Sequence, residues 1–398
     1  MQLSKNVQAC QLSPMRKYHP YAVEAKARGT KIYHLNIGQP DIATPRQYFD
    51  AIRAFAHPVV EYMPSQGIPP LIAAVQSYYA GIGASYDLND IFITTGGSEA
   101  LQMLMLSILD AGSEVITPEP FYPNYSTFIY AAGGKICPLT TTAEEGYFYA
   151  DRAKIETLIN ENTRAILLTN PGNPTGVVLN EEELRMIVEI AKKHDLYLIA
   201  DEVYREFVYD GQALLSAGQI AGAEDNVVLI DSVSKRFSAC GARVGAVLTK
   251  NKGLQQALMK FCQARLSVAT IDQVAAAALY EADTSYFGSV RDEYKRRRDT
   301  CYRKLAEIPG IVCEEPQGAF YMMAKLPLID ADADAFQTWL LTDFSHNGET
   351  VMFAPGEGFY ETPGLGRDEI RIAYVLNCED LARAVDLLAM GIQAYNTR

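Results

Sequence analysis

Nowhere in the 398-residue chain do about 18 apolar residues run together, which argues against a helical membrane span. The opening MQLSKNVQACQLSP also lacks the apolar core of a secretory signal. Positive charge is scarce: 35 Lys+Arg stand against 48 Asp+Glu, a net −13, and the one basic run is Lys295-Arg296-Arg297-Arg298. That run reads as a solvated helix face, so no nucleic-acid partner is expected. The five histidines, His19, His34, His57, His194 and His346, are dispersed without ligand spacing, which argues against a metal hydrolase. The seven cysteines (Cys10, Cys137, Cys240, Cys262, Cys301, Cys313, Cys378) form no C-x-x-C pair. Buried reduced thiols and a cytoplasmic location are the expectation. Internal repeats and low-complexity tracts are absent as well.

What is present is a large apolar fraction, 48% hydrophobic against 21% charged, enough for an extensive core and more than one domain. From about residue 90 to 250, short β-rich runs alternate with helical patterns: IFITT, EVITP, KICPL, RAILLTN, LYLIAD, VVLID and ARVGAVL. This βαβ rhythm predicts an α/β fold with a mostly parallel sheet covered on both faces. SEALQMLMLSIL (98–109) and NEEELRMIVEIAKKH (180–194) are amphipathic, the latter opening on an Asn cap and an acidic first turn. After about residue 285 a long charged helix, short strand-like pieces (GAFYMMAKL, VMFAP, EIRIAYV) and a closing helix predict a smaller α+β domain. The expected division is 1–45 for an N-terminal arm with part of the small domain, 46–290 for the large domain and 291–398 for the small C-terminal domain.

Three segments carry chemistry. Ser232-Val-Ser234-Lys235-Arg-Phe-Ser-Ala-Cys-Gly241-Ala-Arg243 follows the strand VVLID. Small hydroxyl residues before a lysine, then glycine and arginine, suit an amine kept accessible beside a bound phosphate. Asn170-Pro-Gly-Asn173-Pro174-Thr-Gly176 leaves the strand RAILLTN as a stiff loop that presents Asn173 with little freedom, although Asn-Pro is also a common turn. Asp201, in Ala200-Asp201-Glu202-Val203-Tyr204, ends a strongly apolar strand, where ligands of open α/β sheets collect; a helix N-cap is the other use for it.

Together with LNIGQPDIATP, EYMPSQGIPPL, TTGGSEAL, PEPFYPNYS, EEPQGAFYMM and IRIAYV, these segments resemble the aspartate aminotransferase superfamily, in its shorter bacterial branch, from about residue 14 to the end. The resemblance implies a fold-type-I architecture with a large seven-stranded sheet, the cofactor pyridoxal 5'-phosphate, and a homodimer with shared active sites. It implies that Lys235 carries the cofactor as a Schiff base and then moves the Cα proton, and that Asp201 pairs with the pyridine nitrogen. Asn173 and Tyr204 match residues that hydrogen-bond the cofactor's phenolic oxygen, and Tyr122 the aromatic stacked on the ring. Gly97, Ser98 and Glu99 at a helix start, with Ser232, Ser234 and Arg243, match the phosphate cup, and Tyr62 a tyrosine reaching the phosphate from the neighbouring subunit. Arg371 matches the arginine that grips the substrate α-carboxylate, with Gly38 and Asn173 beside it.

Substrate preference is less legible. Dicarboxylate-specific relatives of this branch carry a basic residue after the two glycines of the TTGG-like motif, and here Ser98 stands there. Arg265, and Arg16, Lys17 and His19 of the N-terminal segment, are the candidates for meeting a distal carboxylate. The expected reaction is amino transfer from aspartate or a similar amino acid to 2-oxoglutarate. Aromatic, alanine, methionine or prephenate specificity and a carbon–sulfur lyase are alternatives on the same fold. A ligand-sensing domain of a transcription regulator is a further one, disfavoured because no basic helix-turn-helix is found.

Overall fold

The chain forms twelve strands in a computed structural model that describes residues 1–398; eleven fall on the runs read from the sequence and the first, in KIYH, does not. They are β1 Lys31–His34, β2 Ile91–Thr94, β3 Glu114–Glu119, β4 Lys135–Thr140, β5 Thr163–Thr169, β6 Tyr197–Asp201, β7 Val227–Ser232, β8 Gly245–Thr249, β9 Tyr321–Lys325, β10 Glu349–Met352, β11 Ala354–Pro355 and β12 Glu369–Ala373. Seven of them make one sheet in the order β2-β8-β7-β6-β5-β3-β4. Only β8 runs antiparallel to its neighbours.

Strand side chains alternate faces, and here both faces are apolar. Val227 and Leu229 of β7 join one hydrophobic cluster while Val228 and Ile230 join another; in β6, Leu198 and Ala200 separate from Ile199 in the same way. Each cluster is closed by helices. Pro69–Gly81 and Glu181–Lys193 cover one side; Gly96–Ile108, Asn124–Ala131 and Lys252–Arg265 cover the other. The helix Glu181–Lys193 starts at Asn180, whose side chain accepts the Glu183 N–H while the Glu183 carboxylate accepts the Asn180 N–H. The expected α/β class and seven-stranded sheet are what the chain forms.

A third cluster gathers the antiparallel sheet β11-β12-β9 with the helices Ser285–Ala306 and Cys378–Asn396. β1 and β10 pair in parallel beside it. The VMFAP run does not form the one strand its sequence suggests: β10 pairs with β1, and β11 turns to pair with β12. Two other expectations need correction. The basic run 295–298 is not a wholly solvated face, because Arg297 and Arg298 are buried. Arg297 Nη1 donates to Asp41 at 2.6 Å and its Nε to Glu293 at 2.8 Å, whereas Arg298 Nη1 donates to Asp210 at 2.7 Å and to the Pro316 carbonyl at 3.0 Å. A guanidinium is buried where carboxylates and carbonyls meet its planar fork. All seven cysteines are unbridged, but only Cys262 and Cys301 are buried.

The sheet order brings the C-terminal ends of β5, β6 and β7 side by side, with Thr169 opposite Asp201 in register. Thr169, Asp201 and Ser232 are the last residues of these strands, so their loops open on one edge.

Candidate active site

A cavity of about 730 Å³ lies at that edge, lined from the large sheet by Gly97, Ser98, Tyr122, Asn173, Asp201, Tyr204, Ser232, Ser234, Lys235 and Arg243. Gly38, Tyr321 and Arg371 close it from the smaller sheet's side, and Met15, Arg16 and His19 from the N-terminal segment.

One wall is an anion cradle. The helix Gly96–Ile108 begins two residues before Ser98, at a glycine with φ +72°, and its start lies so close to β8 that Gly245 has no room for a side chain: a Cβ there would lie 2.7 Å from the Gly96 carbonyl carbon and 2.9 Å from the Gly97 nitrogen. No side chain caps its first-turn N–H groups, which leaves them and the positive helix end to an anion. Ser232 Oγ lies 2.7 Å from Ser234 Oγ, and the Ser234 N–H donates to Ser232 Oγ at 3.1 Å. The Arg243 guanidinium packs against Gly96, where a Cβ would fall 2.3 Å from Nη2. Donors and one permanent cation converge here with no carboxylate among them, and this is the chemistry a phosphate requires.

Lys235 sits in the short turn Val233–Arg236 after β7, half-buried, its Nζ donating to the Gly38 carbonyl at 3.0 Å and lying 3.7 Å from Cys240 Sγ. Asp201 is nearly sealed. It accepts the Tyr125 hydroxyl at 2.7 Å and the Val203 N–H at 3.3 Å, and burial pushes its carboxyl up to about 6 despite these bonds. A cation brought to Asp201 would restore its charge. Asn173 donates through Nδ2 to the Tyr204 hydroxyl at 3.3 Å, and that hydroxyl lies 3.1 Å from the Tyr321 hydroxyl. Burial pushes the Tyr204 phenol far up and the Tyr122 phenol to about 12, so both act as neutral groups.

Arg371, on β12, is 2% exposed and has no acidic partner. Its guanidinium donates to Asn173 Oδ1 at 3.2 Å and the Asn36 carbonyl at 2.8 Å, touches Met15 Sδ at 3.0 Å, and lies over the rings of Tyr321 and Phe359; Nε has no partner. Burial pushes it below the ordinary arginine value. A buried cation that faces only neutral groups is costly unless an anion arrives.

Three of the expected site residues stand apart from the cavity. The Glu99 carboxylate turns back to accept the Thr95 N–H at 2.6 Å and pairs with Arg265 at 2.7 Å. Arg265 also donates through Nη1 and Nη2 to the Ile93 and Ser65 carbonyls, at 3.2 and 2.6 Å, while its Nε has no partner. Tyr62 is 79% exposed, away from its own chain's cavity. Tyr125, Tyr321, Asn36 and Cys240 are site residues that sequence reasoning gave no role. Tyr125 lay three residues beyond Tyr122 in PFYPNY and Tyr321 within EEPQGAFYMM, so position in a motif was their only signal.

The chain matches the family model described as aminotransferase class I and II over residues 30–388. It is similar to the aspartate aminotransferase of Bacillus subtilis, 30% identical with 100% of both chains covered. It is likewise similar to a probable aspartate/prephenate aminotransferase of Thermus aquaticus, 30% identical over 98% of this chain and 99% of that one. The solved structure of an alanine aminotransferase from Pyrococcus furiosus superposes with a TM-score of 0.89 at 29% identity, covering 99% of this chain and 100% of that one.

Proposed function

Because this chain belongs to the class I and II aminotransferases, we propose that it moves the amino group of an L-amino acid, aspartate being the leading candidate, to 2-oxoglutarate in two successive half-reactions. The family works with amino acids and 2-oxo acids and uses pyridoxal 5'-phosphate. The observation that carries the reading is Arg371: a buried cation without an anion, in one cavity with Lys235 and Asp201. The aspartate choice is supported by a relative of that name; prephenate and alanine also occur among similar proteins' names and are the alternatives to it.

The cradle fits the cofactor's phosphate, and Asp201 fits a protonated ring nitrogen. When bound, pyridoxal phosphate supplies an electrophilic carbon and a ring that accepts the electron pair left at the substrate's Cα. The roles within the chain follow from chemistry and position. The first-turn N–H groups of Gly97, Ser98 and Glu99 would hold the phosphate with Ser232, Ser234 and Arg243. The Asp201 carboxylate would keep the ring nitrogen protonated, with Tyr125 fixing its orientation. Asn173 and Tyr204 would donate to the phenolic oxygen, and Tyr122 would cover the ring face. Lys235 would take and return the Cα proton, and Arg371 with Asn173 would hold the α-carboxylate. Lys235, placed to carry the cofactor as a Schiff base, has its Nζ within 3.0 Å of the Gly38 carbonyl, beside where the substrate would sit.

We further propose that Tyr62 completes a partner's phosphate site in a homodimer, supported by its exposure. The division at 45 and 290 is supported by the two clusters on the faces of the seven-stranded sheet, whose buried members all lie within 68–279; the third cluster crosses it through Tyr204, Phe207 and Tyr209, and the helix Ser285–Ala306 runs across the second junction. The cytoplasmic location is an inference from the unbridged thiols.

The test is a single half-reaction. The cofactor-loaded protein, mixed with one amino acid and no acceptor, should release the matching 2-oxo acid up to one equivalent per site, fastest with aspartate. Lys235→Ala should release none. Release of ammonia in step with the oxo acid would replace transfer by a lyase reaction, and an inert aspartate beside a reactive alanine or phenylalanine would overturn the choice of donor.

A further inference from the structure

We propose that Arg16 reads the second carboxylate of a dicarboxylic substrate. This rests on the assignment of Arg371 to the α-carboxylate and Arg243 to the phosphate. Four cationic side chains, Arg16, Lys235, Arg243 and Arg371, line the cavity against one carboxylate, Asp201. With the phosphate on Arg243, the α-carboxylate on Arg371 and the cofactor on Lys235 and Asp201, one positive charge remains.

That charge is Arg16, and its surroundings hold it in place. Met15 touches Arg371 through its sulfur at 3.0 Å, Lys17 is paired with Asp334, and Tyr18 is buried among Ala22, Ile32 and Met352. Pro14 packs on Gly358, where a Cβ would fall 2.4 Å from the proline ring. Both neighbours of Arg16 are thus engaged, whereas Arg16 itself is exposed, lines the cavity and has no side-chain hydrogen bond or ion pair. Met15, the residue before it, touches Arg371, and both arginines line the one cavity, which is the arrangement two carboxylates of one substrate would need. Of the other candidates, Arg265 is bound to Glu99, Lys17 to Asp334 and Ser98 carries no charge, while His19 also lines the cavity but lacks the planar two-donor fork of an arginine.

The experiment uses the cofactor-loaded enzyme and its Arg16→Gln and Arg16→Lys variants. Turnover of aspartate and glutamate is compared with that of alanine and norvaline, and binding of succinate with that of propionate is measured by calorimetry. In Arg16→Gln, kcat/KM for aspartate should fall roughly 100-fold, the worth of a charge-assisted contact, with alanine within about threefold. Succinate binding should weaken in parallel and propionate binding should hold; Arg16→Lys should recover part of both losses. A variant that loses alanine and aspartate alike, or neither, overturns the assignment and leaves the proposed function standing. An unchanged enzyme that uses neither aspartate nor glutamate overturns the donor reading and this inference together.

Discussion

At the scale of single residues, the site is built from groups whose burial has a cost, and Asp201 shows it most plainly. Burial pushes its carboxyl from an ordinary 3.8 up to about 6, against the lowering effect of the Tyr125 and Val203 bonds. For an acid with a raised value the folded state holds the proton more tightly than the unfolded chain, so stability falls as pH rises through that window. Above it the whole cost, on the order of 2–3 kcal/mol, is present. Asp201→Asn should therefore make the cofactor-free protein more stable than the unchanged one near neutral pH and give almost no gain near pH 4, as read by urea unfolding. Function should move the opposite way, with amino transfer largely lost. Equal stability of the two proteins at both pH values would mean that burial is not what shifts this group.

At the scale of elements, the turn after β7 sorts its side chains by period. Ser232 faces the cavity and caps the turn through the Ser234 N–H, while the adjacent Asp231 faces the core. Arg236, the residue after Lys235, follows Asp231 inward: Nη2 donates to Asp231 at 2.8 Å and the guanidinium lies 3.8 Å from the Tyr78 ring centre. Asp231 Oδ2 and Arg236 Nε have no partner, and beyond the pair only neutral groups reach the two charges, the Ser232 N–H at 2.8 Å on Asp231 and the Tyr280 hydroxyl at 3.5 Å from Arg236 Nη1, so each charge depends on the other. Removing one should strand the other. Arg236→Met is expected to cost about 3–5 kcal/mol, and the double variant Asp231→Asn with Arg236→Met to recover much of it. Urea midpoints measure both; a loss under about 1 kcal/mol in the single variant would mean that the pair does not anchor the lysine turn.

At the scale of the whole molecule, apolar groups are left outside. Val59, Val60 and Leu266 are about half exposed or more, and the tyrosine assigned to a partner's phosphate site, Tyr62, belongs to the same stretch as the two valines. Sedimentation equilibrium of the cofactor-loaded protein should give twice the 43.9 kDa of one chain. An active protein of single-chain mass would remove the shared site. Within the chain, the Asp41–Arg297 pair fastens the N-terminal arm to the helix Ser285–Ala306, so the arm and the small sheet carry their halves of the cavity together.

The sequence by itself determined the α/β class, the strands and most of the cavity's residues, because these depend on local pattern: period-2 apolar runs make strands covered on both faces, and loops that must end a strand beside a phosphate need glycine, serine and asparagine. Lys235, Asp201 and Asn173 were legible in this way, whereas Arg371 was reached only through the family resemblance of IRIAYV. What only the tertiary structure decided concerns contacts between distant segments. A basic run looks solvated until Asp41 and Asp210 are folded against it. Arg265 looks available until Glu99, 166 positions away, accepts it. Arg16, Lys17 and His19 look equivalent in sequence, and packing alone gives Lys17 to Asp334 and leaves Arg16 and His19 lining the cavity, since whether a charge is free depends on partners that no local pattern records.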